Sequence, residues 1–123
     1  MLFSALNVAF VLICVIAAAV QWNDPDPWAW ILFYLGSAAV ALLASHSRSR
    51  WPLGLLLLVC LLWGCSILLT FPEVQWMDVF DSLQMQSDSV EEARELGGLM
   101  LVAIWSLVLL ARRTRQLRTS GEL

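Results

Sequence analysis

The chain has no lysine, one histidine and three cysteines in 123 residues, and only 14% of it is charged. Each shortage excludes something. The one histidine, His46, sits beside Arg48 and Arg50 in a short connection and reads as a solvated loop residue, not a ligand or base. Cys14, Cys60 and Cys65 all fall in apolar stretches, with neither the spacing of a metal clip nor an exposed pairing partner. They read as small hydrophobes, and no disulfide is expected. None of the polar residues within the apolar stretches (Ser4, Asn7, Tyr34, Ser37, Ser66, Thr70 and Ser106) is charged. A proton-coupled transporter carries a carboxylate near mid-membrane, so a small drug exporter is disfavoured despite the matching size. At a formal net charge of -3, no nucleic-acid partner is expected.

What is present is apolar surface. Hydrophobic residues make up 60% of the chain, more than a water-soluble domain of this size can hide. Four stretches, at about 2–21, 28–45, 53–71 and 96–112, approach the length needed to cross roughly 30 Å of hydrocarbon. The expected fold is all-α: one domain over 1–123, a polytopic antiparallel bundle of four transmembrane helices. Ala17, Ala18 and Ala19 mimic a signal-peptide cleavage site, but no Lys or Arg precedes the run and it is too long for an h-region. A retained first span is expected.

The seven arginines orient the bundle. Arg48 and Arg50 lie in the second connection, Arg112, Arg113, Arg115 and Arg118 in the tail at 112–123, and Arg94 alone elsewhere. By the positive-inside rule both termini are cytoplasmic, and a bacterial inner membrane is the expected location. The tail can attract anionic headgroups but needs no role beyond anchoring the topology. Nine of the ten acids fall in the two outward connections: Asp24, Asp26, Glu73, Asp78, Asp81, Asp88, Glu91, Glu92 and Glu95.

The first connection, 23–27, is a stiff link. Pro25 extends the residue before it, Asp26 is placed to cap the second helix, and Pro27 suits its first turn. Trp22, Trp28 and Trp30 form an outer aromatic belt, with Trp51 on the inner side. In the third connection Trp76, Met77, Phe80 and Leu83 recur at helical spacing, while Asp78, Asp81 and Ser82 fall away from them. This predicts a short amphipathic surface helix at about 73–84, then a polar hinge at 84–89. Ser89 and Glu92 have capping-box spacing and start the last helix, which runs to about Arg113. Its apolar part, 96–111, spans only about 24 Å. Glu92 and Glu95 therefore fall at the outer hydrocarbon edge, where acids seek partners. The nearest are Arg94 and the 23–26 turn.

Val20-Gln21-Trp22-x-Asp24 echoes in Val74-Gln75-Trp76-x-Asp78, a pattern that suits two hairpins related by an axis along the membrane normal. Small residues permit close helix contacts at Ala93 and Gly97, Ser37 and Ala41, and Gly64, and Asn7 reads as an interhelical hydrogen-bond partner. Trp63 and Trp105, placed near the membrane centre, either fill the core or mark a face that a partner covers.

The candidate functional cluster is Asn23, Asp24, Asp26, Glu91, Glu92, Arg94 and Glu95, with Pro25, Pro27, Gly97 and Gly98 as structural residues beside it. Asp24, Asp26, Glu92 and Glu95 supply the oxygens that a hard divalent cation needs, or a carboxylate pair with split pKa values. A purely structural reading is simpler, and is preferred for Asp26 and Glu91: Asp26 caps, Glu91 and Glu92 favour a helix N-terminus, and Arg94 neutralises Asp24. With no His or Cys nearby, zinc and copper are disfavoured. No cofactor is expected; a divalent cation stays open.

Two motifs resemble the transmembrane protein 220 family: Val20-Gln21-x-Asn23-Asp24-Pro25-Asp26 before an aromatic-rich helix, and Glu91-Glu92-x-Arg94-Glu95-Leu96-x-Gly98-Leu99 opening a later one. Trp63 in a Leu-rich helix is a weaker likeness. The resemblance covers roughly the first 110 residues. It implies a small multi-span membrane protein and supplies no activity, cofactor or substrate. Some animal relatives continue with further helices, whereas this chain stops after its fourth. The leading functional expectation is an accessory or interaction subunit with an outward acidic face, partnered by the bilayer and by another membrane protein or its own copies. Cation binding or transport is the alternative. An intramembrane enzyme acting on a lipid headgroup ranks third, because no nucleophile–base pair is present.

Overall fold

A computed structural model describes residues 1–23, 26–47, 49–70 and 88–121, including all their side chains except those of 23 and 88–91. The expected surface helix at 73–84 and the second copy of the sequence echo lie outside the described residues. Four helices follow in order: α1 Leu2–Val20, α2 Pro27–His46, α3 Trp51–Thr70 and α4 Asp88–Thr119. All four are long and apolar enough to cross a membrane, and the described residues contain no strand.

Local sequence sets the helix ends. A single 3-10 turn, Gln21–Asn23, closes α1, with the Gln21 N–H donating to the Ala17 carbonyl. Pro27 occupies the first turn of α2, where its missing N–H costs nothing. Asp26 stands at the N-cap position of α2 but makes no side-chain cap hydrogen bond, contrary to expectation. Its backbone, at φ -118° and ψ 59°, is outside the extended region usual for a capping residue. At its far end α4 passes the expected stop near Arg113 and continues to Thr119. Its 32 residues measure about 48 Å at 1.5 Å per residue, well beyond the hydrocarbon. The arginines therefore ride on a helical extension.

The contacts run α1 antiparallel to α2 and α4, and α2 antiparallel to α3 and parallel to α4. Residues in the first half of α1 meet the end of α2 and the second half of α4, while the start of α2 meets the second half of α3 at Trp63 and the start of α4 at Glu95. The helices pack as two close pairs, α1 with α2 and α3 with α4, and α2 also touches both members of the second pair. The buried stripes follow from this. Along α1 the buried residues are Asn7, Phe10, Cys14 and Ala18, a narrow seam. On α3 they are Leu53, Cys60 and Ile67, one every seven residues. α2 carries a wider stripe, Trp30, Phe33, Tyr34, Ser37, Ala38 and Ala41, because it faces three neighbours. About a third of α2 and α4 is buried, against 22% of α1 and 17% of α3. So α2 and α4 are central, and the outer two helices give most of their surface to lipid.

Lipid tails are as apolar as leucine, so hydrophobicity does not drive these helices together. Shape and polar pairing must do it. The strongest example is a clasp of α1 on Trp105 of α4. Phe3 and Phe10 lie seven residues apart, about 10.5 Å along the helix. The Trp105 ring stacks on both, at 5.7 Å and 5.6 Å between centroids. Between them Asn7, 4% exposed, accepts a hydrogen bond from the Trp105 indole Nε1 at 2.9 Å. Its amide Nδ2 donates to the Ala41 carbonyl at 3.0 Å and to Ser45 Oγ at 3.1 Å. One buried side chain thus joins three helices. Replacing Asn7 with Leu should lower stability by about 1–2 kcal/mol, since interhelical hydrogen bonds average ~0.6 kcal/mol and reach ~1.7 kcal/mol. In a double-mutant cycle with Trp105→Phe, steric-trap or reversible SDS unfolding should show coupling of about 1 kcal/mol; additive effects would contradict the clasp.

Candidate functional site

The end of the bundle opposite the tail arginines carries, among the described residues of the expected cluster, Asp26, Glu92, Arg94 and Glu95. The side chains of Asn23, Asp24, Pro25 and Glu91, and with them the expected meeting of the two acidic runs, lie outside the described residues. Those that are described separate into two groups. Glu92 is buried, 8% exposed, and Glu95 is half-buried. Asp26 and Arg94 are exposed. This division follows from helical phase. Glu92, Ala93, Leu96 and Leu99 form the inward face of α4, and Arg94 points away from it.

Glu95 has a definite partner. Its Oε1 accepts a hydrogen bond from the Trp30 indole Nε1 at 3.0 Å, from α4 to α2. Neither Glu92 nor Glu95 is without a partner. Trp30 itself is 4% exposed and stacks on Trp63 of α3 at 4.4 Å, with Phe33 and Tyr34 against it. The expected outer belt therefore divides. Trp22 and Trp28 stay exposed, packed edge to face at 5.6 Å, while Trp30 turns inward. The missed signal was spacing: Trp30, Phe33, Tyr34, Ser37, Ala38 and Ala41 follow one helix face. Trp63 and Trp105 both pack against the buried core.

The two glycines of α4 differ. A methyl group at Gly98 would collide with the Tyr34 hydroxyl, whereas one at Gly97 would meet nothing within 4 Å. Tyr34 is 5% exposed and itself partnered. Gly98 is thus where the aromatic face of α2 comes against the α4 backbone.

Chemically, this is a carboxylate held by an indole N–H beside an aromatic cluster. Among the described residues no group of three His, Cys, Asp or Glu side chains could hold a metal ion. All three cysteines are free thiols, Cys14 and Cys60 buried and Cys65 exposed.

Fold and site together define a small integral membrane protein with four described helices, tied to one another by hydrogen bonds of Asn7, Trp30, Glu95 and Trp105. Residues 13–111 match the family model described as "Transmembrane family 220, helix", and the chain belongs to that family. No curated protein and no solved structure matches it.

Gly98→Ala should cost about 1–3 kcal/mol through overpacking against Tyr34. Gly97→Ala should be neutral or slightly stabilising, because Ala is the better helix former by about 1 kcal/mol. Adding Tyr34→Phe to Gly98→Ala should recover part of the loss. Thermal unfolding in a mild detergent reads all three, and equal effects at the two glycines would refute the assignment.

Proposed function

We propose that the chain is an accessory or interaction subunit of a bacterial inner membrane, with both termini cytoplasmic and the acidic end outward. The Trp30–Glu95 hydrogen bond is the observation that carries this reading. A carboxylate engaged in tying α4 to α2 is a packing anchor, and the buried Glu92 beside it lies on the same inward face. What the outward end offers to a neighbour is then the exposed Trp22–Trp28 pair together with Asp26 and Arg94. An exposed aromatic pair at the same end as an exposed acid and an exposed arginine suits recognition of another membrane protein or of a second copy, since aromatic residues and Arg are enriched in interfaces.

The competing proposal, a divalent cation at Asp24, Asp26, Glu92 and Glu95, requires the exposed Asp26 and the buried Glu92 to converge on one ion. That separation favours the interaction reading.

A photoreactive amino acid at position 28 tests the choice. In intact membranes it should give one discrete cross-linked product, whereas the same group at Leu61, on an exposed face of α3, should give only lipid adducts. Lipid adducts alone at both positions would overturn the proposal, and a melting shift with Ca²⁺, Mg²⁺ or Mn²⁺ would favour the cation. For orientation, Asp26→Cys in a cysteine-free background should react with an impermeant thiol reagent in intact cells while Ser120→Cys does not; the reverse pattern would invert the topology.

A further inference from the structure

At the arginine-bearing end, the first turn of α1, the last turn of α2 and the late turns of α4 enclose a cavity of about 130 Å³. Roughly 10–15 Å³ of such space admits one water, so this one has room for a larger polar group. Phe3, Ala44 and Leu109 give it an apolar floor, and Ser4, Ser45, Arg112, Arg113 and Gln116 supply its polar groups. Among the described residues no carboxylate lines it, whereas Arg112 and Arg113 do.

Both cations are held in place. The Arg112 guanidinium lies over the Phe3 ring, 3.6 Å from its centroid. Arg113 Nη1 donates to Gln116 Oε1 at 3.1 Å. Ser45 is fixed by Asn7, whose Nδ2 donates to its hydroxyl at 3.1 Å. These contacts order the side chains without neutralising either charge. Gln116 and the Phe3 ring leave other guanidinium N–H groups able to donate, since each guanidinium carries five. The apolar run of α4 ends at Ala111, which puts Arg112 and Arg113 at headgroup level.

We propose that this cavity binds a phosphate-bearing headgroup, with an anionic phospholipid of the adjoining leaflet as its source. Two arginines match a phosphodiester in charge and donor geometry. The serine hydroxyls and Gln116 can engage the glycerol oxygens, and the Phe3–Leu109 floor accepts the first methylenes. The site is distinct from general attraction to the basic tail. Arg115 and Arg118 lie on the same helical extension but do not line the cavity.

The test uses the full chain in a neutral detergent, with melting temperature followed as lipid is added. Phosphatidylglycerol should raise it saturably and phosphatidylcholine should not. Inorganic phosphate and glycerol 3-phosphate form a second arm; a shift from these equal to that from the lipid would assign the site to a soluble phosphate and overturn the phospholipid source. Arg112→Gln with Arg113→Gln should weaken the apparent lipid affinity by about 30-fold, at ~1 kcal/mol per arginine. Arg115→Gln with Arg118→Gln, whose side chains do not line the cavity and are screened by solvent, should change it less than about threefold. Because Arg112 also packs on Phe3, Ser4→Leu provides a control that keeps every charge and fills the cavity; it should retain the lipid-free melting temperature and lose the lipid-dependent rise. Equal losses in the two arginine pairs, or a full lipid response in Ser4→Leu, would overturn the site.

Discussion

Trp105, gripped between Phe3 and Phe10 with its N–H on Asn7, is the interaction on which the rest of the bundle depends. In water, apolar helices associate simply to leave the solvent. In lipid that force is missing, and specificity comes from contacts that lipid cannot imitate. A flat indole between two phenyl rings and a buried amide with both ends satisfied are such contacts. Asn7 unpaired in hydrocarbon would be costly. Here its oxygen takes the indole proton, and its nitrogen serves Ala41 and Ser45. The register of α1 against α2 and against α4 is fixed by that one side chain.

The opposite end repeats the principle with a carboxyl group in place of an amide. Trp30 of α2 donates to Glu95 of α4. Each helix pair thus lends one indole N–H to the other: α4 reaches α1 through Trp105, and α2 reaches α4 through Trp30. The two ties sit near opposite ends of the bundle, so together they resist both sliding and splaying of the pairs. Between them, the Gly98–Tyr34 contact and the small buried residues Ser37 and Ala41 let the backbones come close. This arrangement bears on function. Of the carboxylates that sequence alone offers as ligands or acids, Glu92 and Glu95 lie toward the packing side of α4, while Asp26 is exposed.

The helices were legible from the sequence because membrane crossing demands long uncharged runs, and the runs are unmistakable. Interhelical pairing by Asn7 was legible for a similar reason: a lone amide deep in an apolar span must find a partner. The identity of its partners was not, since Trp105 is 98 residues away and no local pattern links them. The inward turn of Trp30 was legible in principle from the i, i+3, i+4, i+7 spacing that follows it, but its nearness to Trp22 and Trp28 suggested a belt. Partners for Glu92 and Glu95 were sought in Arg94 and the 23–26 turn. Helical phase turns Arg94 outward, and an indole from another helix donates to Glu95. The cavity beneath Arg112 and Arg113 could not be read at all from a tail that looks like a plain topology anchor, because three separate helix ends build it.

The most direct test of this account is a dipolar recoupling measurement by solid-state NMR, in lipid bilayers, between the Trp105 indole ¹⁵N and the Asn7 side-chain carbonyl ¹³C. The account predicts strong through-space transfer, as an N···O separation of 2.9 Å requires. No transfer in a folded sample would contradict it, for the two helix pairs would then be joined by something other than the clasp.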